Sequence, residues 1–368
     1  MNADEELKYQ IALTLLPGVG PVLAKSLVSY CGSVENIFKK KKANLERIPG
    51  IGEERANAIA GHDTFERAEK EVEFIRKHKI NMFFYTDNDY PLRLKNCDDA
   101  PALLFFKGVC DLNAGRMAAI VGTRNATEYG QEITEQLVEG LSKYGVVVVS
   151  GLAYGIDILA HRACLKNNVP TVGVLAHGLD RIYPGVHKST AEKMVKNGGV
   201  LTEFPSKTNP DRENFPSRNR IVAGMVDAVI VVESALKGGA LITADIANGY
   251  NREVFAVPGV ANAPYSQGCN DYIRLNKAAL AENAEHIAEL MNWNTPGKPK
   301  QEKQLNIFRE LNPEEKVLVD LLKEKGKVDI DTLMVRSGLP VHKVSSTLLN
   351  LEFDGLLKAL PGKVFELT

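Results

Sequence analysis

Between residues 110 and 293, short apolar runs alternate with segments of helical pattern, and this alternation restricts the fold more than any other feature. The apolar runs predict strands at 117–121, 146–150, 171–175, 199–204, 228–233 and 253–258. The intervening segments predict helices at 128–143, 156–167, 187–197, 218–225 and 240–249. Because the runs are nearly continuous in Val and Ile, both faces of each strand are expected to be buried, as in parallel sheets. The sequence therefore predicts an α/β fold with a Rossmann-like, doubly wound, mostly parallel sheet.

The N-terminal segment, residues 1–80, reads as helical and carries one pattern twice. Leu-Pro-Gly-Val-Gly occupies 16–20 and Ile-Pro-Gly-Ile-Gly occupies 48–52, each ahead of a helix-forming stretch. The repeat predicts a helix-hairpin-helix (SAM-like) domain, in which backbone N–H groups ahead of a helix receive phosphate oxygens. The candidates for a secondary DNA contact are Gly18, Gly20, Gly50 and Gly52. The alternative is that these glycines only shape a compact helical bundle.

The remaining segments complete the predicted domain order. We expect a Rossmann-like domain over 81–293, preceded within that range by a lead-in that contains one short strand. Residues 294–302 have the Pro, Gly and Lys content of a flexible linker. Residues 303–368 predict three helices and a two-stranded hairpin, which together describe a winged helix. This segment carries ten Lys or Arg and ten Asp or Glu, so we expect it to serve in protein contacts or self-regulation and not in gripping duplex DNA.

Composition limits the function classes. The chain has 368 residues, is 44% hydrophobic and 25% charged, and carries a formal net charge of -1, which is ordinary for a soluble globular protein. Any surface that binds nucleic acid must therefore be a local one. The five cysteines are scattered, the N-terminus does not resemble a signal peptide, and no apolar run approaches the ~18 to 20 residues of a membrane span. We expect a cytoplasmic protein without a metal, a cofactor or a membrane segment.

Candidate binding residues follow the strands, because the ligands of an open parallel sheet sit outside the carboxyl ends of its strands. Small residues and cations follow the first, second and fifth predicted strands, where a phosphate would approach a helix N-terminus. They are Gly122, Thr123, Arg124, Ser150, Gly151, Lys237, Gly238 and Gly239. Neither a dinucleotide GxGxxG motif after the first strand nor a Walker lysine loop is present in the sequence.

The densest group of cations follows the fourth predicted strand, at 211–220. Arginine binds phosphate through a bidentate fork, and an aromatic face stacks on an unpaired base. The candidate DNA contacts in this segment are Arg212, Phe215, Arg218, Asn219 and Arg220. The alternative is a solvated, helix-capping loop whose arginines pair with Asp211 and Glu213. We favour DNA binding, because the segment is expected to face Arg124 across the same strand ends.

The motifs after these strands resemble, in order, those of the DNA-processing protein DprA (Smf) family. They are GTR (122–124), SGLAYGID (150–157), FPSRNRIVAG (215–224), KGGALITA (237–244), VPG (257–259) and GCNDYIR (268–274). The match covers 110–293, and the helix-hairpin-helix start and winged-helix end are also similar to long family members. Two departures leave the charges unchanged: Cys269 stands where threonine is more usual, and Gly239 and Ala240 lie in a loop usually richer in serine.

The resemblance implies a function and a site. It implies a homodimer that binds single-stranded DNA, protects incoming DNA and loads the RecA recombinase onto it during natural transformation and recombination. The DNA pocket that it implies uses Arg124, Arg212, Phe215 and Arg218. Two-fold pairing would use apolar residues near the last predicted strand. They are Tyr272, Ile273, Leu275 and Leu280. The alternative for these four is that they only pack the final helix onto the sheet.

The main alternative function is a nucleotide-binding or nucleotide-cleaving enzyme of the phosphoribohydrolase-like Rossmann class. Those enzymes carry a PGGxGTxxE pattern whose glutamate acts in catalysis. At the comparable place this chain runs from Gly238 to Asp245 without the Gly-Thr pair or the glutamate. His161 and His177 have no spaced partner for metal binding. We therefore expect a binding protein and not an enzyme.

Overall fold

The structure is a computed structural model that describes residues 3–293, 311–354, 356–360 and 364–367. The chain forms two compact units, Met1–Pro296 and Gly297–Thr368. The predicted linker, 294–302, lies outside the described residues.

The first unit begins with a helical region. Its helices are α1 (Ala3–Thr14), α2 (Pro21–Cys31), α3 (Val34–Lys39), α4 (Lys42–Leu45), α5 (Glu53–Ala60) and α6 (Thr64–His78). The hairpins before α2 and α5 turn at Gly18 and Gly50, whose φ angles of +70° and +84° favour glycine. This region matches the predicted helix-hairpin-helix arrangement, and that prediction is confirmed.

A large sheet follows, with nine strands over the described residues. The strands are β1 (Asn81–Phe84), β2 (Leu103–Gly108), β3 (Met117–Val121), β4 (Val147–Ser150), β5 (Thr171–Val174), β6 (Gly199–Thr202), β7 (Ala228–Val231), β8 (Glu253–Ala256) and β9 (Ala279–Leu280). Their order across the sheet is β1-β2-β6-β5-β4-β3-β7-β8-β9. Neighbours from β6 to β9 in this order pair in parallel, whereas β2 pairs antiparallel with β1 and β6. The predicted mostly parallel, Rossmann-like sheet is confirmed.

Helices pack on the two faces of this sheet. They are α7 (Leu92–Lys95), α8 (Glu128–Ser142), α9 (Ile156–Lys166), α10 (Lys188–Asn197), α11 (Asn214–Gly224), α12 (Gly239–Gly249), α13 (Gln267–Arg274) and α14 (Ala284–Leu290). A single 3-10 turn, Gly185–His187, precedes α10. Helix α11 begins four residues earlier than predicted, so Phe215 lies in its first turn, and Pro216 suits that position because early helical residues need no N–H donor.

Side chains of the parallel strands alternate between two hydrophobic cores. On β3, Met117, Ala119 and Val121 join one core, which also receives residues of α11 and α12. Ala118 and Ile120 join the other core, with residues of α8 and α9. All five side chains are buried. Both faces of the strand therefore avoid water, which explains the unbroken apolar runs.

A buried polar junction ties the helical region to the sheet. The Glu71 carboxylate on α6 is 1% exposed. It accepts hydrogen bonds from Ser206 N at 2.8 Å, from Ser206 Oγ at 2.6 Å and from Arg67 Nη1 at 2.8 Å. Arg67 also donates to the Ser206 carbonyl. Because Ser206 follows β6, this network holds α6 beside the carboxyl end of that strand.

The second unit contains the remaining described elements. They are α15 (Pro313–Lys325), β10 (Val328–Asp329), α16 (Ile330–Ser337), α17 (Val341–Phe353), β11 (Leu357–Leu360) and β12 (Val364–Leu367). Strand β12 pairs antiparallel with both β10 and β11. Asn312 and Glu315 form a reciprocal capping box at the start of α15. The predicted winged helix is confirmed, with β10 as a short strand that the sequence did not indicate.

The lead-in and the strand ends differ from the prediction. Residues 81–109 hold two paired strands, β1 and β2, where one short strand was expected. The fifth predicted strand, 228–233, ends at Val231. Beyond it, the buried Glu233 carboxylate accepts from Thr127 N at 3.0 Å and Thr127 Oγ1 at 2.6 Å at the start of α8. The Glu233 side chain thus caps the start of α8 from the segment that follows β7.

Candidate nucleic-acid interface

The strand order reverses between β3 and β7, which are neighbours in the sheet although three strands separate them in sequence. Open parallel sheets bind ligands at this switch point, outside the carboxyl ends of the strands. A cavity of about 730 Å³ opens there. The sequence-predicted residues that line it are Gly122, Thr123, Arg124, Gly151, Arg212, Phe215, Arg218, Asn219, Gly238 and Gly239. The structure thus brings together most of the candidates from four separate loops.

Close backbone contacts build the rim of this cavity. Thr123 N donates to the Glu233 carbonyl at 2.8 Å, which ties the loop after β3 to the loop after β7. Ile156 N donates to the Thr123 carbonyl at 3.1 Å, which ties in the loop after β4. Gly155 has φ +74°, and a Cβ there would lie 2.1 Å from the Thr123 carbonyl oxygen. Only glycine therefore fits where the second and first loops meet.

Arg124 and Phe215 form a pair at the mouth of the cavity. The Arg124 guanidinium carbon lies 5.4 Å from the centroid of the Phe215 ring, within cation–π range. Arg124 is exposed and Phe215 is half-buried. Over the described residues, Arg124 makes no ion pair, so its charge is available to a ligand. A planar cation and an aromatic face side by side suit a phosphate and an adjoining unpaired base.

Arg212 adds a second exposed cation to the cavity wall. The exposed carboxylates Asp211 and Glu213 flank it in sequence. The alternative that these carboxylates neutralise the arginine cluster is not seen, since neither lies within 4.0 Å of an arginine nitrogen among the described residues. Arg212 therefore remains available to an anion, with its two acidic neighbours limiting the local positive charge.

Arg218 lies in the floor of the cavity and is only 6% exposed. Its Nη1 donates to the Val174 carbonyl at 3.0 Å, and its buried Nε has no hydrogen-bond partner. A Cβ on Gly151 would lie 1.7 Å from Nη1, so the loop after β4 must pass over the guanidinium without a side chain. Burial raises the pKa of the neighbouring Asp157 carboxyl, and the Arg218 charge opposes that rise. Arg218 thus places a buried positive charge beneath the cavity.

Three predicted residues do not line the cavity. Arg220 forms an ion pair with Glu203 and donates to the Asp99 carbonyl, in a part-buried network on another side of α11. Ser150 is fully buried, and its Oγ donates to the Ile120 carbonyl at 2.6 Å. Lys237 is exposed beside the cavity, although the two glycines that follow it do line the wall.

Sequence reasoning missed one aromatic residue of the wall. Tyr183 is 49% exposed and lines the cavity from the long loop after β5. Its backbone N donates to His177 Nε2 at 3.2 Å, while His177 Nδ1 lies 2.9 Å from the Gly178 carbonyl. The buried His177 therefore shapes this loop. The signal in the sequence was an aromatic residue after a strand end, in Arg-Ile-Tyr-Pro at 181–184.

The helix-hairpin-helix glycines lie around a separate cleft of about 440 Å³. Gly18, Gly20 and Gly50 line it, whereas Gly52 does not. Arg55 joins the two hairpins, because its Nε donates to the Gly18 carbonyl at 3.2 Å and its Nη1 to the Gly50 carbonyl at 2.8 Å. Arg55 thus links the two repeats and places a cation in the cleft between them.

Two of the residues weighed for catalysis or metal binding have partners within the protein. Asp245 lies on α12 after the glycine loop and pairs with Lys277 at 3.2 Å. Burial lowers the pKa of His161 to about 3, and its Nδ1 lies 2.7 Å from Thr171 Oγ1. The described residues contain no group of three His, Cys, Asp or Glu side chains placed to hold a metal. No helix within the described ranges has both the length and the apolar character needed to cross a bilayer.

The chain matches the sequence profile of DNA recombination-mediator protein A over residues 81–292, which is more than half of its length. It belongs to the DprA family. It also matches the DprA winged helix domain over 308–363 and a SAM-like helix-hairpin-helix tandem over 11–60. The family resemblance expected from the ordered motifs is confirmed.

Relatives and solved structures of the DprA family align with large parts of the chain. Protein Smf of Synechocystis sp. is 32% identical over 99% of this chain and 99% of its own. DprA from Streptococcus pneumoniae superposes with a TM-score of 0.69 at 31% identity, covering 78% of this chain and 98% of that one. DprA from Helicobacter pylori, whose structure concerns its single-stranded DNA binding mode, superposes with a TM-score of 0.53 at 29% identity, covering 59% of this chain and 98% of that one.

Proposed function

We propose that this protein binds single-stranded DNA in the cavity at the strand-order reversal. The observation that carries the proposal is the Arg124–Phe215 pair at the cavity mouth, with the guanidinium 5.4 Å from the ring centroid. The pair offers a phosphate contact and a stacking face within one nucleotide of each other. The related Helicobacter pylori protein is described as binding single-stranded DNA, which supports the same ligand class here.

The chemistry of the cavity favours single strands over duplex. Phe215 can stack only on a base that is not already stacked and paired. Arg212 and Arg124 contact phosphates in either form of DNA, so they do not discriminate. With a net charge of -1, the whole protein offers no general attraction to duplex. Discrimination therefore rests on the aromatic face, and little sequence preference is expected because every base has a π-face.

The wider role in this proposal is to protect incoming DNA and load RecA onto it during natural transformation and recombination, in the cytoplasm. The match to a recombination-mediator family supports this role. We assign the central domain to 81–293 and the winged helix, a module for protein contacts or self-regulation, to 303–368. We assign a secondary DNA contact to the cleft around Arg55.

A homodimer is part of the proposal. Of the four apolar residues expected near a two-fold contact, Leu275 and Leu280 are 48% and 42% exposed. Tyr272 is buried, and its hydroxyl donates to the Leu241 carbonyl at 3.3 Å, so it packs α13 against α12. Ile273 packs against the same core. Leu275 and Leu280 are therefore the candidates for burial between subunits.

We propose that the protein is not a phosphoribohydrolase-like enzyme. Asp245 on α12, the acidic residue nearest the catalytic position of that class, pairs with Lys277 and does not line the cavity. Purified protein should therefore release no base from nucleoside monophosphates. Turnover that disappears in an Asp245→Asn variant would overturn this part of the proposal.

A gel-shift comparison of single-stranded and blunt duplex DNA of equal length, over a salt series, tests the proposed function. Binding should favour the single strand and weaken steeply with salt, because each phosphate contact releases a counterion. Equal affinity for the two forms at moderate salt would refute the assignment, since only the stacking face distinguishes them.

A further inference from the structure

A second basic cleft lies between α6 and the loop that follows β6. Its volume is about 260 Å³. Arg67, Lys70, Phe74 and Lys77 line it from α6, and their spacing of three, four and three residues puts them on one helical face. Lys207 lines it from the loop. Three helical cations with an interleaved aromatic ring form the same kind of surface as the central cavity.

The cations of this cleft differ in whether they already form ion pairs or hydrogen bonds within the protein. The Arg67 guanidinium is held by Glu71 and Ser206, and Lys70 pairs with Glu66 on the same helix. Lys77 and Lys207 are exposed, and over the described part of the chain neither makes an ion pair. These two lysines therefore carry the charge available to a ligand.

The cleft contains one acidic side chain, the exposed Glu73, and a second aromatic ring. The Phe74 ring lies against the His78 imidazole, with centroids 4.5 Å apart at an interplanar angle of 42°. A single carboxylate against two unpaired lysines leaves the cleft positive, and the ring pair supplies an apolar face. This combination suits a phosphodiester with an exposed base better than a simple anion.

The cleft and the central cavity lie at the same edge of the sheet. Lys207 follows the carboxyl end of β6, and Arg124 follows the carboxyl end of β3, three strand steps away in a parallel sheet. At ~4.8 Å per step the two ends are about 14 Å apart. The chain itself connects the sites, because Lys207 lines the cleft while Pro210 and Arg212 line the cavity.

Ordered contacts fix the segment between the two sites. Lys207 N donates to Asp180 Oδ1 at 2.7 Å, and Arg181 Nη1 donates to Asn209 Oδ1 at 2.7 Å. The Asp180 carboxylate also pairs with Arg181, so its charge is already neutralised. A strand that runs along this edge therefore passes the Asp180–Arg181 ion pair, whose charges offset each other, and meets no unpaired carboxylate of Asp180.

We propose that the α6 cleft binds phosphates of the same DNA strand after it leaves the central cavity. The strand then follows the carboxyl edge of the sheet from Arg124 past Arg181 to Lys207 and Lys77. This inference rests on the proposed binding of single-stranded DNA. It assigns the N-terminal helical region a part in holding a single strand through α6, in addition to the secondary contact proposed at its glycine hairpins.

The test uses the full chain and two oligothymidylates, one of about 5 nucleotides that spans only the cavity and one of about 20 that reaches both sites. The double variant Lys77→Ala/Lys207→Ala is compared with Lys196→Ala as the control. Lys196 is an exposed lysine near the end of α10, just before β6 and so at the opposite edge of the sheet. Fluorescence anisotropy over a salt series measures affinity and salt slope.

For the long oligonucleotide we expect the double variant to lose about tenfold in affinity and about 1.4 in the slope of log K against log salt, since each single-strand phosphate contact contributes ~0.7. For the short oligonucleotide, the variant should bind like the parent. Parent-like binding of the long oligonucleotide, or equal losses for both lengths, would overturn the proposal. If instead the parent binds neither oligonucleotide, the proposed function itself fails.

Discussion

The pairing of Arg124 with Phe215 makes a prediction about how their contributions to DNA affinity combine. In the DNA-free protein the guanidinium lies over the ring. A base that stacks on Phe215 displaces it, and this costs the existing cation–π contact, on the order of 0.5 to 1 kcal/mol at an exposed site. The two side chains are therefore coupled before DNA arrives.

The coupling changes the expected magnitudes. Arg124→Ala removes a charge-assisted phosphate contact of about 1.5 to 3 kcal/mol but also removes the cost of displacing the guanidinium, so its net loss is about 1 to 2 kcal/mol, or roughly five- to thirtyfold in affinity. Phe215→Ala removes stacking of about 1 to 3 kcal/mol but also removes the cost of displacing the guanidinium, so its net loss is about 0.5 to 2 kcal/mol. When Arg124 is already alanine, Phe215→Ala costs the whole stacking energy. The double variant should therefore lose more than the sum of the single variants, by about 0.5 to 1 kcal/mol.

Anisotropy titrations with a short single strand over a salt series measure all four proteins of this cycle. Arg124→Ala should lower the salt slope by about 0.7, whereas Phe215→Ala should leave it unchanged. Arg124→Lys, which keeps the charge but loses the planar fork, is the matched control and should keep the parent slope. A double variant that loses less than the sum, with all variants folded, would refute the displacement argument. Parent-like affinity in both single variants would place the binding site elsewhere.

Two further predictions concern stability. Glu71→Ala should cost about 1 to 3 kcal/mol of unfolding free energy, because it leaves the buried Ser206 N–H without an acceptor, whereas the part-exposed Arg67 keeps the Ser206 carbonyl. Glu69→Ala is the control: Glu69 forms an exposed ion pair with Lys8 at 3.2 Å, and its loss should cost under about 1 kcal/mol. Equal urea midpoints for the two variants would contradict this contrast. Burial lowers the pKa of His161 to about 3. Between pH 6.5 and pH 3 the unfolded state therefore binds more protons than the folded state, so the free energy of unfolding falls as the pH falls. The loss is about 2 kcal/mol at pH 5. Urea unfolding at pH 7.5 and pH 5 should show a smaller loss in His161→Gln, and an equal loss would contradict the assignment.

The strands and the place of the candidate site were predictable from sequence. Runs such as Val147–Ser150 identify buried parallel strands, because only strands covered on both faces lack polar alternation. The carboxyl ends of parallel strands meet at one edge, so residues after different strands, such as Arg124 and Phe215, were expected to be close. These inferences succeed because they depend on local composition and on one geometric rule.

The roles of individual arginines were decided only by tertiary packing. Arg218 and Arg220 are two positions apart on α11, about 200° around the helix axis, so they face different surroundings. The docking of α11 puts Arg218 under Gly151 in the cavity floor and Arg220 against Glu203. From the sequence, both arginines were predicted to be equivalent DNA contacts. The local sequence does not show which face of the helix each one occupies relative to the rest of the protein.

Contacts between distant residues formed the second basic cleft. Glu71 and Ser206 are 135 positions apart, yet their hydrogen bonds of 2.8 and 2.6 Å seat α6 beside the end of β6. Lys77 and Lys207 reach one cleft only through that seating. Periodicity along a chain identifies which face of a helix is charged or apolar, but which loop that face meets depends on the packing of whole elements. Because of that packing, the sequence determined the sheet and the edge that carries the candidate site, and the tertiary structure alone decided how far along that edge the basic surface extends.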